Sequence, residues 1–364
     1  MQIPFFDYKR QLKTLQPEIN KAVEKVLNSG KLILGDEVEK FENRFSQFIG
    51  AKYGVGVNSG TDAIKIALRS LDIGKDDEII TVDNTAVPTI SAIREIGAIP
   101  KLVDIKENFT IDETKIKKEI SQKTRAILPV HLYGQSCNMS AILKIAKTHN
   151  LKVIEDCAQA AGAQFKNKRV GSFGNISCLS FYPTKNLGAY GDGGIILTSN
   201  KNLADRCRAL RTYGMKTRYY ANFEGYNSRL DEMQAAILNV KLRYLNQWNK
   251  RRQKIAQYYL NNIKNPKIIL PPIKNIAEHV FHLFVIRINK RQNLIKYLSK
   301  SNVGYGIHYQ YPIHLQKAYK FLGYLRRDFP ITEKFANEVL SLPIFPELTK
   351  QELKYIVNKL NNFQ

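Results

Sequence analysis

The stretch "ISCLSFYPTKNLGAYGDGGIILTS", Ile176–Ser199, sets an apolar run on each side of a loop that holds Lys185 and four glycines, Gly188, Gly191, Gly193 and Gly194. Each run is apolar throughout and has the length of a buried strand. Glycines grouped this way mark a backbone that turns tightly or comes close to a ligand. The segment "GDGGII" leads into a strand, whereas a dinucleotide-binding turn opens a helix. Neither GxGxxG after the first strand nor GxxxxGK[ST] is present, so the dinucleotide and P-loop folds are disfavoured.

Upstream of this stretch the same kind of run recurs in "YGVGVNSG", "EIITVD", "IPKLVDI", "TRAILPVHLYG" and "LKVIEDCAQ", with amphipathic segments between. Short, wholly apolar strands that alternate with helices predict an α/β fold, a largely parallel sheet covered on both faces. Two helices are predicted ahead of it, "LQPEINKAVEKVLNSG" with a glycine stop and "EVEKFENRFSQFIGA". From about Leu230 the pattern changes. "SRLDEMQAAILNVKLRYLNQWNKRRQKIAQYYLNNI" reads as one long helical pattern, bent or interrupted, and leads into strand-like "FHLFVIRI" and the helix "RQNLIKYLSKS". The predicted division is a large unit over 1–245 and a smaller α+β unit over 246–364, which the N-terminal segment is a candidate to join.

The chain has 364 residues, enough to bury a substantial core. It contains no run of about 18 apolar residues, and "MQIPFFDYKRQ" lacks the basic start and apolar core of a secretory signal, so no membrane partner is expected and the location reads as cytoplasmic. Cys137, Cys157, Cys178 and Cys207 lie far apart without CxxC spacing or a neighbouring His pair, which points to reduced thiols and no metal. The formal net charge of +24 is spread along the chain, and no dense basic run accompanies it. Nucleic-acid binding is disfavoured for that reason, while a positive field favours anionic small substrates.

Open α/β sheets bind ligands beyond the carboxyl ends of their strands, and three segments fall there. "VNSGTDAIKIAL" puts Ser59, Gly60 and Thr61 at a helix start, either as an ordinary cap or as a phosphate cradle of free N–H groups. "LKVIEDCAQAAGA" ends a strand with Glu155-Asp156, followed by Gln159. Asp156 either caps the next helix or, beside a pyridine-type ring, keeps the ring nitrogen protonated. Lys185 is either a surface residue or a partly desolvated amine with a lowered pKa, fit to form a Schiff base. In this order, cradle, ring partner and lysine describe a pyridoxal phosphate (PLP) site.

With "VNSGTDAI", "VIEDCAQAAGA", "SFYPTKNLGAYGDGG", "GYNSRLDEMQAA", "YPIHLQKAY" and "EVLSLPIFPELT" read together, the chain resembles the nucleotide-sugar aminotransferases, the DegT branch of the fold-type I PLP enzymes. The resemblance implies a large domain with a mostly parallel seven-stranded sheet, a small C-terminal domain and a homodimer with shared active sites. By matching motif it implies Lys185 as the lysine that carries the cofactor and Asp156 as the partner of the ring nitrogen. Gln159 would lie beside the cofactor hydroxyl, with Gly60, Thr61 and Ser180 at the phosphate. Asn227 is either a helix cap or a contact to the other subunit's cofactor phosphate. Many relatives place an aromatic residue in "DNTAVPT" to stack on the ring, whereas this chain has Ala86. That wording resembles the subgroup that aminates C3 of dTDP-linked 3-keto-6-deoxyhexoses, with L-glutamate as donor. His308, Tyr309 and His314 are placed by the resemblance at the sugar pocket, and Tyr219 and Tyr220, beside Arg218, near the nucleotide. Sugar dehydratases related to this family carry histidine where Lys185 stands, and no DNA-binding helix-turn-helix is appended that would suggest a sensor.

Overall fold

The sheet is built from seven strands that coincide with the seven apolar runs: β1 (Tyr53–Val57), β2 (Glu78–Val82), β3 (Ile99–Val103), β4 (Thr124–Ile127), β5 (Lys152–Asp156), β6 (Ile176–Ser180) and β7 (Gly194–Thr198). The computed structural model describes residues 1–364 except Arg218. Strand order across the sheet is β1-β7-β6-β5-β4-β2-β3. All neighbours pair in parallel except β7, which runs against both β1 and β6.

Alternation along the strands feeds two cores. Cys178 and Ile196 face one cluster with Ile79, Ile127 and Ile154, whereas Leu179, Ile195 and Leu197 face the other, with Phe41 and Phe45. The first helix, α1 (Tyr8–Ser29), starts ahead of its predicted beginning because Asp7 caps it, accepting the Lys9 N–H at 3.0 Å, and it carries Pro17 inside. Helix α2 (Asp36–Ile49) supplies Phe41 and Phe45. Helices α3 (Gly60–Ser70), α4 (Val87–Glu95), α5 (Met139–Thr148) and α6 (Lys201–Leu210) follow their strands. The long predicted helical pattern divides at Arg243 and Tyr244 into α7 (Glu232–Leu242) and α8 (Leu245–Asn262).

A third cluster joins Ile255 and Tyr259 of α8 to residues as far as Phe363, and it also takes in Ile3. Its frame is β8 (Phe284–Arg287) paired antiparallel with β9 (Val339–Leu342), with α9 (Arg291–Lys300), α10 (Pro330–Glu338) and α11 (Lys350–Asn361) around them. Leu283, Val285, Phe335 and Val339 from this part belong to the main core instead, so the two regions share packing. Among the described residues no helix is long and apolar enough to cross a membrane.

Candidate active site

Because β1, β2, β5 and β6 run the same way, Val57, Val82, Asp156 and Ser180 end on one edge of the sheet. The reversal of β7 keeps the β6–β7 loop on that edge, and this loop carries Lys185. The glycines of the opening stretch serve close approach. A Cβ on Gly194 would lie 2.3 Å from the Ser59 carbonyl oxygen, and one on Gly188 2.4 Å from that of Pro183. Gly60 does the same for α3, since a Cβ there would lie 2.7 Å from the Ser180 Cβ. The start of α3 is thereby held against the end of β6, and both line a cavity of about 320 Å³.

Gly60, Thr61, Asp156, Gln159, Ser180 and Lys185 all line this cavity. Ser59 caps α3 by accepting the Asp62 N–H at 3.1 Å, so the cap expected from the sequence is present. The N–H groups of the first turn lack intrahelical partners by geometry and point out of the helix end. The Lys185 residue is only partly covered, but its amine lies within the protein. Burial lowers its pKa to about 8, opposed by the negative charge of Asp156.

Adjacent acids have opposite surroundings because consecutive strand residues face opposite sides. Glu155 is wholly buried and accepts the N–H groups of Gly171, Phe173 and Gly174 at 2.8–2.9 Å, while His131 Nε2 lies 3.1 Å from its Oε2. Burial raises its pKa, yet His131 and the backbone donors hold it below the usual carboxylate range. His131, Glu155 and Cys157 bring three metal-ligating atom types within 4.8 Å, but these bonds occupy the carboxylate, and the Cys137 N–H occupies His131 Nδ1. Asp156 opens on the cavity instead. Its Oδ1 accepts the Ala158 N–H at 3.0 Å and its Oδ2 the Thr89 hydroxyl at 2.8 Å. Burial raises its pKa, against these donors and Lys185.

Gln159 accepts the Tyr133 N–H at 2.8 Å and donates to the Tyr309 hydroxyl at 2.8 Å. His308 precedes Tyr309, stacks on Phe5 and lies 2.8 Å from Ser341 Oγ through Nδ1. Burial, with Lys185 nearby, lowers the His308 pKa to about 4, so its ring is neutral at physiological pH.

Neither His308 nor Tyr309 lines the cavity itself; Tyr309 meets it through Gln159, and other expected residues stand elsewhere. His314 is buried with both ring nitrogens engaged, Nδ1 at 2.7 Å from Asp83 and Nε2 at 3.3 Å from Glu333, which departs from the expected place at the sugar pocket. It serves as a tie between the β2–α4 segment and the C-terminal part. Tyr219 and Tyr220 are exposed, Tyr220 within the second strand of a short hairpin, and do not line the cavity, and Arg218 lies outside the described residues. Asn227 is exposed, next to Ser228, whose hydroxyl accepts the Asn58 N–H and donates to Asp62. Ala86 does line the cavity, and Tyr182 is the aromatic residue among its walls. Sequence reasoning overlooked Thr85 and Thr89, although Pro88 beside them marks a helix start and their hydroxyls interrupt an otherwise apolar segment.

The DegT/DnrJ/EryC1/StrS aminotransferase family model matches residues 13–361, and the chain belongs to this family. A relative from Aneurinibacillus thermoaerophilus named dTDP-3-amino-3,6-dideoxy-alpha-D-galactopyranose transaminase is 49% identical, covering 99% of each chain. One from Geobacillus stearothermophilus, named a pleiotropic regulatory protein, is 44% identical over 100% of this chain and 99% of its own. The crystal structure of DesV from S. venezuelae in complex with a ketimine intermediate superposes with a TM-score of 0.97 at 40% identity, covering 99% of this chain and 98% of that one.

Proposed function

We propose that this chain aminates a nucleotide-linked keto-sugar with PLP as cofactor, the sugar being a dTDP-linked 3-keto-6-deoxyhexose and the donor L-glutamate. The observation that carries the reading is one cavity lined by a buried amine, a carboxylate and a helix N-terminus. The residues fit the cofactor. Gly60 leaves the room between α3 and Ser180 that a Cβ would fill, giving a cradle for the phosphate. Asp156 is the anion for the ring nitrogen, and the amine of Lys185 is the point of covalent attachment. Ala86, Pro88, Val130 and Ala158 give aliphatic walls where many relatives use an aromatic ring.

When bound, PLP supplies an electron sink and a carbon that accepts and returns nitrogen. The chain supplies the rest. With its pKa lowered to about 8, the Lys185 amine is available near neutral pH to take a proton from the donor's alpha carbon and deliver it across the site. Asp156 would hold the positive ring nitrogen of the bound cofactor, and Gln159 would orient its ring hydroxyl. His308 and Tyr309 face the sugar. Two copies complete the site, Asn227 of each reaching the phosphate held by the other; its exposure supports this, as does the exposure of Leu32, Ile33 and Leu34. The division at residue 245 belongs to the same reading, supported by the separate cluster that begins at Ile255.

The relative named as a dTDP-3-amino sugar transaminase supports the substrate. Incubation with glutamate and a panel of nucleotide-linked 3-keto and 4-keto sugars, followed by mass analysis, tests it. Release of 2-oxoglutarate with a new 3-amino sugar is expected. Amination of 4-keto sugars only overturns the substrate, and no 2-oxoglutarate with any sugar overturns the activity.

A further inference from the structure

A chain of two hydroxyls reaches the cavity carboxylate from the segment between β2 and α4. Thr89 lies in the first turn of α4, just after Pro88, and its Oγ1 donates to Asp156 Oδ2 at 2.8 Å. Thr85 Oγ1 lies 3.0 Å from Thr89 Oγ1. Since an ionised Asp156 has no proton to give, the Thr89 proton must point to it, and Thr85 must then donate to Thr89. The direction of both bonds is fixed by the charge at the end. All three residues are at least 97% buried, being 3%, 2% and 3% exposed. The turn that carries them is fixed in its own right, because the Thr85 N–H donates to the Asp83 carbonyl at 3.2 Å and Asp83 is tied to His314.

We propose that Thr89, backed by Thr85, is a positioning residue that keeps Asp156 ionised and aimed at the ring nitrogen of the cofactor. The inference rests on the PLP reading above. A donor to the charged form of a carboxylate lowers its proton affinity, and this bond works against the burial that raises that of Asp156. Lys185 is the cation that faces Asp156; His131, whose Nδ1 accepts the Cys137 N–H, is a neutral ring beside it, and Tyr309, Cys157 and Cys178 are the neutral acids near it. None of these donates a hydrogen bond to Oδ2 among the described contacts, where Thr89 does. Without that bond the shared proton moves from ring nitrogen toward Asp156, and the ring loses its positive charge.

The test is solid-state 15N NMR of holoenzyme loaded with ring-15N PLP, at one neutral pH. In Thr89→Val, which keeps the shape and removes the donor, the ratio of protonated to unprotonated ring nitrogen is expected to fall at least about tenfold, the equivalent of one pKa unit. Thr89→Ser is expected to retain the wild-type signal, and the turnover number of Thr89→Val to fall with little change in sugar KM. A wild-type signal in Thr89→Val overturns the inference while leaving the PLP reading intact; wild-type protein that takes up no PLP overturns both. Should Thr89→Val fail to fold, Thr85→Val is expected to shift the signal in the same direction by less, and an unchanged signal there overturns the inference.

Discussion

The side-chain amide of Gln159 donates to the Tyr309 hydroxyl at 2.8 Å, a contact between residues 150 positions apart. It fastens the loop after β5 to a segment of the C-terminal part. The hydroxyl of Tyr133 makes a second fastening by donating to the His308 carbonyl, while the Tyr133 N–H holds the other end of Gln159. Burial pushes the Tyr309 pKa up to about 12, so the group is a neutral hydroxyl through the working pH range. Tyr309→Phe keeps the ring and removes the partner of Gln159. Losing a buried bond of this kind costs roughly 1–3 kcal/mol, which predicts a melting temperature several degrees below that of the wild type. Thermal melts check this, and an unchanged midpoint would mean that the bond does not fasten the two parts together.

Lys185 carries the central assignment. Lys185→Ala is expected to lower turnover by more than about 10³-fold, since it removes the group proposed as both covalent anchor and acid–base catalyst. Borohydride treatment of wild-type holoenzyme should fix label on the Lys185 peptide, and label elsewhere would count against the site. The lowered pKa adds a pH signature. Burial favours the neutral amine, so the protein's uptake of PLP should accelerate as pH rises toward about 8 and level off above it. In Asp156→Asn the midpoint should move lower, because the charge of Asp156 supports the protonated amine.

Glu155 and Asp156 give a paired prediction from neighbouring acids. Glu155→Gln replaces an acceptor of three backbone N–H groups with a side chain that is half donor. Breaking this buried network should cost about 3–5 kcal/mol and lower the melting temperature by several degrees. Asp156→Asn should melt near the wild type, keep cofactor and lose about 10²-fold or more in turnover. Melting curves and turnover on both variants check this, and the reverse pattern would exchange the roles assigned to the two residues.

How much of this was legible in the sequence follows from the range of the forces involved. Strand runs such as "EIITVD" and "GGIILTS" could be read because burial on both faces leaves a continuous apolar signature. The break between α7 and α8 at Arg243–Tyr244 could be read only as an interruption, since no Pro or Gly marks it. That Lys185, Asp156 and Gly60 lie together at one cavity could be read because each stands at or just past the carboxyl end of a strand. Thr89 was not, as nothing local says that its hydroxyl meets a carboxylate 67 residues away. His314 shows the converse: motif position placed it near the sugar, but its surroundings are set by Asp83 and Glu333, both brought to it by tertiary packing.

His314 also yields a prediction in which pH sets the sign. Its ring lies between Asp83 and Glu333, and its N–H backbone group also donates to Asp83 at 2.9 Å. Burial lowers its pKa, but the hydrogen bond and charge of Asp83, helped by Glu333, raise it above the ordinary histidine value overall. A base whose folded pKa is raised stabilises fully below its unfolded pKa of about 6.5 and loses that contribution as pH climbs through the folded value. His314→Ala removes the contribution and leaves Asp83 buried without its imidazole, a cost on the order of 3 kcal/mol. The drop in melting temperature relative to wild type should therefore be largest near pH 6 and shrink by about pH 9 as the wild type loses the same charge. Thermal melts of both proteins at the two pH values check the slope, and an equal deficit at both would mean that the imidazole acts by packing rather than by its proton.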